Sequence, residues 1–118
     1  MPALKLITVN TAPERARRLI GRIVEDVKDR YTIVHLDNVE RIEDVKAALE
    51  REKPDLLFTA SMWTPEQAQE IVAIAKETVP GIKTFSLPYG FQVEKGPDAV
   101  VEFIKEKLPS IIEPAEEV

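Results

Sequence analysis

The sequence predicts an α/β sandwich in which helices cover both faces of a parallel sheet. Short runs rich in β-branched and aromatic residues alternate strictly with longer stretches whose apolar residues recur with helical period. A helix between each pair of consecutive strands makes the strands parallel, through right-handed crossovers. We therefore expect a three-layer sandwich with strand order 2-1-3-4.

Four runs have the composition of strands: residues 3–9, 31–36, 55–60 and 82–87. The third run is apolar without alternation, which is typical of a strand covered on both faces. Asp37 and Asn38 are predicted to end the second strand. For residues 110–112 the sequence leaves two alternatives, a short fifth strand or the end of the last helix.

Helices are predicted after each strand. Thr11 and Glu14 have the spacing of a capping box, and the first helix is expected to run to about Asp29. The second helix is expected from Ile42 to a stop at Pro54.

The third helix begins with the same pattern, a capping Thr64 followed by Pro65 and then Gln67. A Pro-Gly pair at 80–81 is expected to stop it. Pro97 is predicted to open the last helix.

Composition excludes several classes of protein. The 118 residues suit one domain, predicted at residues 1–112, followed by an acidic tail at 113–118. The absence of cysteine excludes disulfides and thiol chemistry, and the single His35 excludes multi-histidine metal sites. No leader and no bilayer-spanning apolar run is present, so we expect a cytoplasmic protein.

The charge balance indicates which partners the chain is able to bind. A net charge of −5 disfavours general nucleic-acid binding. Arg15, Arg18 and Arg22 share a face of the first predicted helix and suit an acidic partner or nucleic acid, but acidic residues follow on the same helix and favour a solvated mixed face. The high charged fraction with few amide side chains is also a compositional tendency of thermophiles.

A ligand site is expected where the strand order reverses, at the carboxyl ends of the first and third strands. The loops there predict a pocket lined by Trp63 and Tyr89, with hydrogen bonds from Asn10, Thr11 and Ser61. A nucleotide, a flavin or a sugar phosphate would be suitable small anionic ligands. Under the alternative interpretation, the threonines only cap helices and the tryptophan covers the core.

Recognisable catalytic patterns are missing. The four glycines cannot form a P-loop or a dinucleotide G-x-G-x-x-G motif. His35 has no nucleophile beside it in the predicted fold. We predict no catalytic residue, no metal ligand and no cofactor, which favours a protein that is not an enzyme.

Residues 5–11, 53–60 and 83–90 each pair a strand with polar residues near its carboxyl end, and a Glu-Pro pair follows at 113–114. In this order they resemble a response-regulator receiver domain over nearly the whole chain, with Ser86 in place of the family's switch hydroxyl. The resemblance implies a flavodoxin-like fold.

The same resemblance speaks against phosphotransfer. Asn10 and Thr11 occupy the positions of the family's magnesium-binding acidic pair, Ala60 that of the phospho-acceptor aspartate, and Glu113 that of the lysine. The chain also ends before the family's last helix. These departures leave nothing to hold magnesium or accept a phosphoryl group.

Two hypotheses about function follow. The first is a non-enzymatic, receiver-like domain that works through protein contacts, as a homodimer or a partner-binding module. The second is a small-ligand-binding protein or minor enzyme with its site at the strand carboxyl ends. The dimer is expected on the side of the fourth strand and last helix, because an edge strand exposes unpaired backbone groups. The apolar residues on that side are Phe91, Val93, Phe103, Ile111 and Ile112.

Overall fold

The computed structural model describes residues 3–113 and contains one four-stranded sheet. Its strands are β1 (Leu4–Val9), β2 (Ile33–Val39), β3 (Leu56–Thr59) and β4 (Lys83–Ser86). Every neighbouring pair is parallel, and the order is β2-β1-β3-β4. The predicted fold class and strand order are confirmed.

Four helices alternate with these strands. They are α1 (Pro13–Asp26), α2 (Val45–Glu52), α3 (Pro65–Thr78) and α4 (Phe91–Ile112), with a 3-10 turn at Ile42–Asp44 before α2. None of the helices in the described part of the chain is long and apolar enough to cross a membrane.

Two apolar cores lie on opposite faces of the sheet, because successive side chains of a strand point to opposite sides. Leu6 and Phe58 join the core under α1 and α4, whereas Ile7 and Leu57 join the core under α2 and α3. The result is the predicted three-layer sandwich.

The prediction that Asp37 and Asn38 end the second strand is wrong. β2 continues to Val39, and its register against β1 shifts by one residue between Leu6 and Ile7. The strand tolerates these polar residues because both are bonded: the Asp37 carboxylate contacts Arg51, and Asn38 joins β1 through its side chain. Tertiary hydrogen bonds thus override a local breaker signal.

The first helix begins and ends differently from the prediction. Ala12 occupies the N-cap position and no side chain caps the helix, so the Thr11–Glu14 capping box does not form. The helix ends at Asp26, and the carbonyl of Val27 then accepts two backbone N–H groups in a turn that leads into β2. At α3, by contrast, the predicted capping box is present in both of its hydrogen bonds.

The last helix begins at Phe91, earlier than predicted. Gly90 precedes it with φ 81°, and Gly96 interrupts it with φ 86° and ψ 171°, so that Pro97 opens the longer of two segments. Positive φ suits glycine, which has no Cβ. Residues 110–112 are the end of this helix, and no fifth strand forms within residues 3–113.

Glu113 and Ile112, at the end of α4, contact the amino edge of the sheet. The Tyr31 hydroxyl donates to the Glu113 carboxylate, and Lys83 Nζ donates to the carbonyl of Ile112 at 3.1 Å. The bond to Glu113 raises the pKa of Tyr31, with burial as a further cause. The remainder of the predicted tail, residues 114–118, lies outside the described residues.

Candidate functional site

Asn10 is the first residue after β1 and is 6% exposed. Its Oδ1 accepts the N–H of Ala12 at 2.7 Å, and its main-chain carbonyl accepts Asn38 Nδ2 at 2.9 Å. Its main-chain N–H donates to the carbonyl of Val39 at 2.9 Å. The Asn10 Nδ2 group has no hydrogen-bond partner among residues 3–113 and remains a fixed donor at the carboxyl edge.

The first turn of α1 adds further donors beside Asn10. No side chain caps this turn, so its backbone N–H groups after Pro13 have no side-chain acceptor. Thr11 lies exposed next to them. The positive end of the helix dipole favours an anion at such a turn.

Four arginines follow this turn along α1. Arg15, Arg17 and Arg18 are exposed and form no ion pair with the acidic residues that the structure describes, whereas Arg22 pairs with Asp98 at 2.9 Å. Glu14 is the acidic residue of the first turn. The local charge is therefore positive in a chain whose net charge is −5.

Ser61, predicted as a ligand contact, makes two hydrogen bonds within the chain. Its Oγ accepts the N–H of Gln92 at 3.0 Å, and its carbonyl accepts the N–H of Gly90 at 2.9 Å. It is buried and ties the β3–α3 loop to the start of α4.

Trp63 belongs to the core between the sheet and α3. It is 8% exposed, and its Nε1 donates to the carbonyl of Val9 at 2.9 Å. This placement agrees with the alternative interpretation of the sequence, in which the tryptophan covers the core: the indole turns inward, and its one polar atom donates to a carbonyl at the end of β1.

Tyr89 is 61% exposed and lines a groove of about 370 Å³ with Trp63, Gln69 and Pro88. Asn10 and Thr11 do not line this groove. The structure therefore brings Trp63 and Tyr89 together and places Asn10 and Thr11 at a separate location, on the β1–α1 turn.

A polar network between β1 and β2 was missed by the sequence reasoning. The Thr8 hydroxyl donates to Asn38 Oδ1 at 2.6 Å and lies 2.8 Å from His35 Nε2, so it accepts from a protonated Nε2. Burial lowers the pKa of His35; a backbone hydrogen bond with Asp37 opposes this, and the charge of Arg17 adds to it. A threonine at the buried end of a mainly apolar strand was the available signal.

Two further observations concern chemistry. The described residues contain no cluster of three histidine or acidic side chains able to hold a metal ion. The hydroxyl of Thr59, at the end of β3, is buried without a partner among the described residues.

The comparisons with known proteins give a fold and no family. No family model and no curated protein matches the sequence. Among solved structures, the chain is similar to the lactose-specific IIB component domain of the phosphoenolpyruvate:carbohydrate phosphotransferase system from Streptococcus pneumoniae. The TM-score is 0.57 at 15% identity, over 89% of this chain and 97% of that one. The architecture of this protein is therefore a flavodoxin-like α/β fold.

Proposed function

We propose that this protein binds a small phosphate-bearing anion at the β1–α1 turn. One observation carries the proposal: α1 begins without a side-chain cap, beside the buried Asn10 whose Nδ2 donor is free. Helix α3, which follows the neighbouring strand β3, is closed by a complete capping box. Donors are thus available at one of the two adjacent turns.

The chemistry of the turn supports an anion. The N–H groups of a first helical turn attract negative charge, and Arg15 and Arg17 are free to approach it. The turn contains no glycine, so Asn10 supplies a side-chain donor where a glycine-rich loop would supply backbone donors. Thr11 adds an exposed hydroxyl.

Phosphate monoesters are the ligand class that we favour, and this class includes nucleotides, flavin mononucleotide and sugar phosphates. The similar structure belongs to a carbohydrate phosphotransferase system, which supports a sugar phosphate. Binding is favoured over transfer, because the chain has no cysteine and its one histidine is bonded to Thr8.

Calorimetric titration with inorganic phosphate and glucose 6-phosphate tests the proposal. Asn10→Asp retains the Oδ1 acceptor for the N–H of Ala12 but replaces the free donor with a negative charge. We expect it to weaken binding of both anions at least tenfold.

Gln69→Glu is the matched control. It makes the same change of charge at an exposed position of α3, away from the β1–α1 turn. We expect an effect of less than about twofold, since surface charges at a distance are screened. Equal affinities of Asn10→Asp and the unchanged protein would reject the site.

Protein contacts are a second candidate function, favoured by exposed apolar side chains around the start of α4. Phe85, Phe103 and Phe91 are half-buried and form a row of ring contacts, whereas Tyr89 and Val93 are 61% and 90% exposed. These residues lie on the side of β4 and α4, where we propose a homodimer.

Light scattering at micromolar concentration tests the dimer. A mass of twice 13.3 kDa supports it, and Val93→Asp is then expected to give the monomer mass. A mass of 13.3 kDa for the unchanged protein rejects it. Ala73→Asp, on the exposed face of α3, is the control for an added charge.

A further inference from the structure

We infer that the anion bound at the β1–α1 turn carries a short apolar arm, and that this arm fills a cavity beneath the turn. The inference rests on the proposed anion site and specifies its ligand. The cavity measures about 30 Å³ and lies between α1 and α4 at the carboxyl edge. Its walls include Ala16 and Ile20 of α1 and Val100 and Ile104 of α4.

The cavity adjoins the anion site directly. Asn10 and Ala16 both contribute to its lining, and Ala16 is the fourth residue of α1. A ligand whose charged group contacts Asn10 Nδ2 and the first turn therefore lies next to the cavity that Asn10 also lines. Asn10 thus belongs both to the anion site and to the lining of the cavity.

The surface of the cavity selects an apolar occupant. About 10–15 Å³ is enough for one water, but a buried water needs two to four polar partners. The lining is almost wholly apolar, and the Thr8 hydroxyl that borders it is already bonded to Asn38 and His35. Thr59 also borders the cavity and its hydroxyl has no partner, but it follows Phe58 on β3, so its side chain points to the other face of the sheet. A volume of about 30 Å³ is suited to one or two methyl-sized groups.

Burial of each methylene group is worth about fourfold in affinity. Ethyl phosphate is therefore expected to bind about tenfold tighter than inorganic phosphate. 2-Hydroxyethyl phosphate has the same chain with a polar end, and it is expected to lose this advantage because its hydroxyl would be buried without a partner.

Calorimetry of the full chain with these three probes tests the inference. A tenfold preference for ethyl phosphate over both other probes supports it. Equal binding of ethyl phosphate and inorganic phosphate overturns the apolar arm and leaves the anion site standing. If none of the three binds, the proposed function itself fails, and the inference fails with it.

Ala16→Val sharpens the test, because its added methyl groups occupy the cavity. We expect the preference for ethyl phosphate to disappear while inorganic phosphate binds as before; a preference that persists in the folded variant overturns the inference. Ala73→Val, on an exposed position of α3, is the matched control and is expected to keep the preference. Should Ala16→Val fail to fold, the three-probe comparison on the unchanged protein still decides.

Discussion

The β1–α1 and β3–α3 turns lie side by side at one edge of the sheet and differ in how their helices begin. β1 and β3 are neighbours, with Val9 opposite Thr59. At α3 the Thr64 hydroxyl accepts the N–H of Gln67 at 3.2 Å, and the Gln67 side chain accepts the N–H of Thr64 at 3.0 Å. At α1 no side chain makes either bond.

The difference depends on one residue of spacing. In both helices proline is the first helical residue, where its missing N–H costs nothing. Thr64 directly precedes Pro65 and therefore occupies the N-cap position. Ala12 separates Thr11 from Pro13, so this threonine lies one position outside the helix. Two similar sequences thus give one closed helix end and one with free donors.

Trp63→Ala, in the β3–α3 turn, is the change with the largest expected effect on stability. We expect a loss of about 3–5 kcal/mol in the free energy of unfolding, since a buried aromatic side chain is deleted and the carbonyl of Val9 loses a hydrogen bond. Tyr89→Ala, on the exposed wall of the same groove, should change stability by less than about 0.5 kcal/mol. Urea denaturation measures both, and similar losses would contradict the burial of Trp63.

The two threonines provide a direct test of the comparison. Thr64→Ala removes a formed N-cap and should cost about 1 kcal/mol. Thr11→Ala removes an exposed hydroxyl with no capping role, and we expect a change close to zero. Midpoints of chemical denaturation distinguish the two, and an equal cost at Thr11 would show that α1 is capped in solution.

Ala12→Ser is designed to give α1 the side-chain cap that it lacks. A serine hydroxyl at the N-cap position can accept the N–H of Arg15, which should stabilise the protein by about 0.5 kcal/mol. The same hydroxyl competes with an anion for the donors of the first turn, so affinity for inorganic phosphate should fall. Thermal melting and calorimetry measure the two effects; tighter phosphate binding would count against the proposed site.

The smallest expected effect concerns pH and His35. This histidine is hydrogen-bonded to Thr8, in the strand that leads into the β1–α1 turn. Because burial lowers the pKa of His35 in the folded chain, the unfolded chain takes up a proton first as the pH falls below 6.5. Stability should therefore decrease below that pH and gain nothing from this group above it. His35→Gln keeps a donor for Thr8 and should flatten the dependence; urea midpoints at pH 5 and pH 7.5 compare the two proteins. An unchanged slope would show that other groups cause it.

Some features of the candidate site could be predicted from the sequence. The loops that carry Asn10, Ser61 and Tyr89 were predicted at the carboxyl edge, because alternation of strands and helices fixes which ends of the strands meet there. The position of Pro13 also contained the information that Thr11 is not a cap. The missing cap of α1 was not predicted, because a capping box was inferred from the Thr11–Glu14 spacing alone.

The sequence by itself determined the α/β class, the parallel sheet and the order of its strands, because hydrophobic periodicity and chain connectivity are local properties that leave few topologies. Only the tertiary structure decided that β2 runs through Asp37 and Asn38, that Trp63 turns into the core and that a small cavity lies beneath Asn10. Each of these depends on contacts between residues far apart in the chain: the bonds of Asn38 to Thr8 and of Trp63 to Val9, and the packing of α1 against α4. Such contacts have no signature in a local window, since their energy arises only when the elements meet.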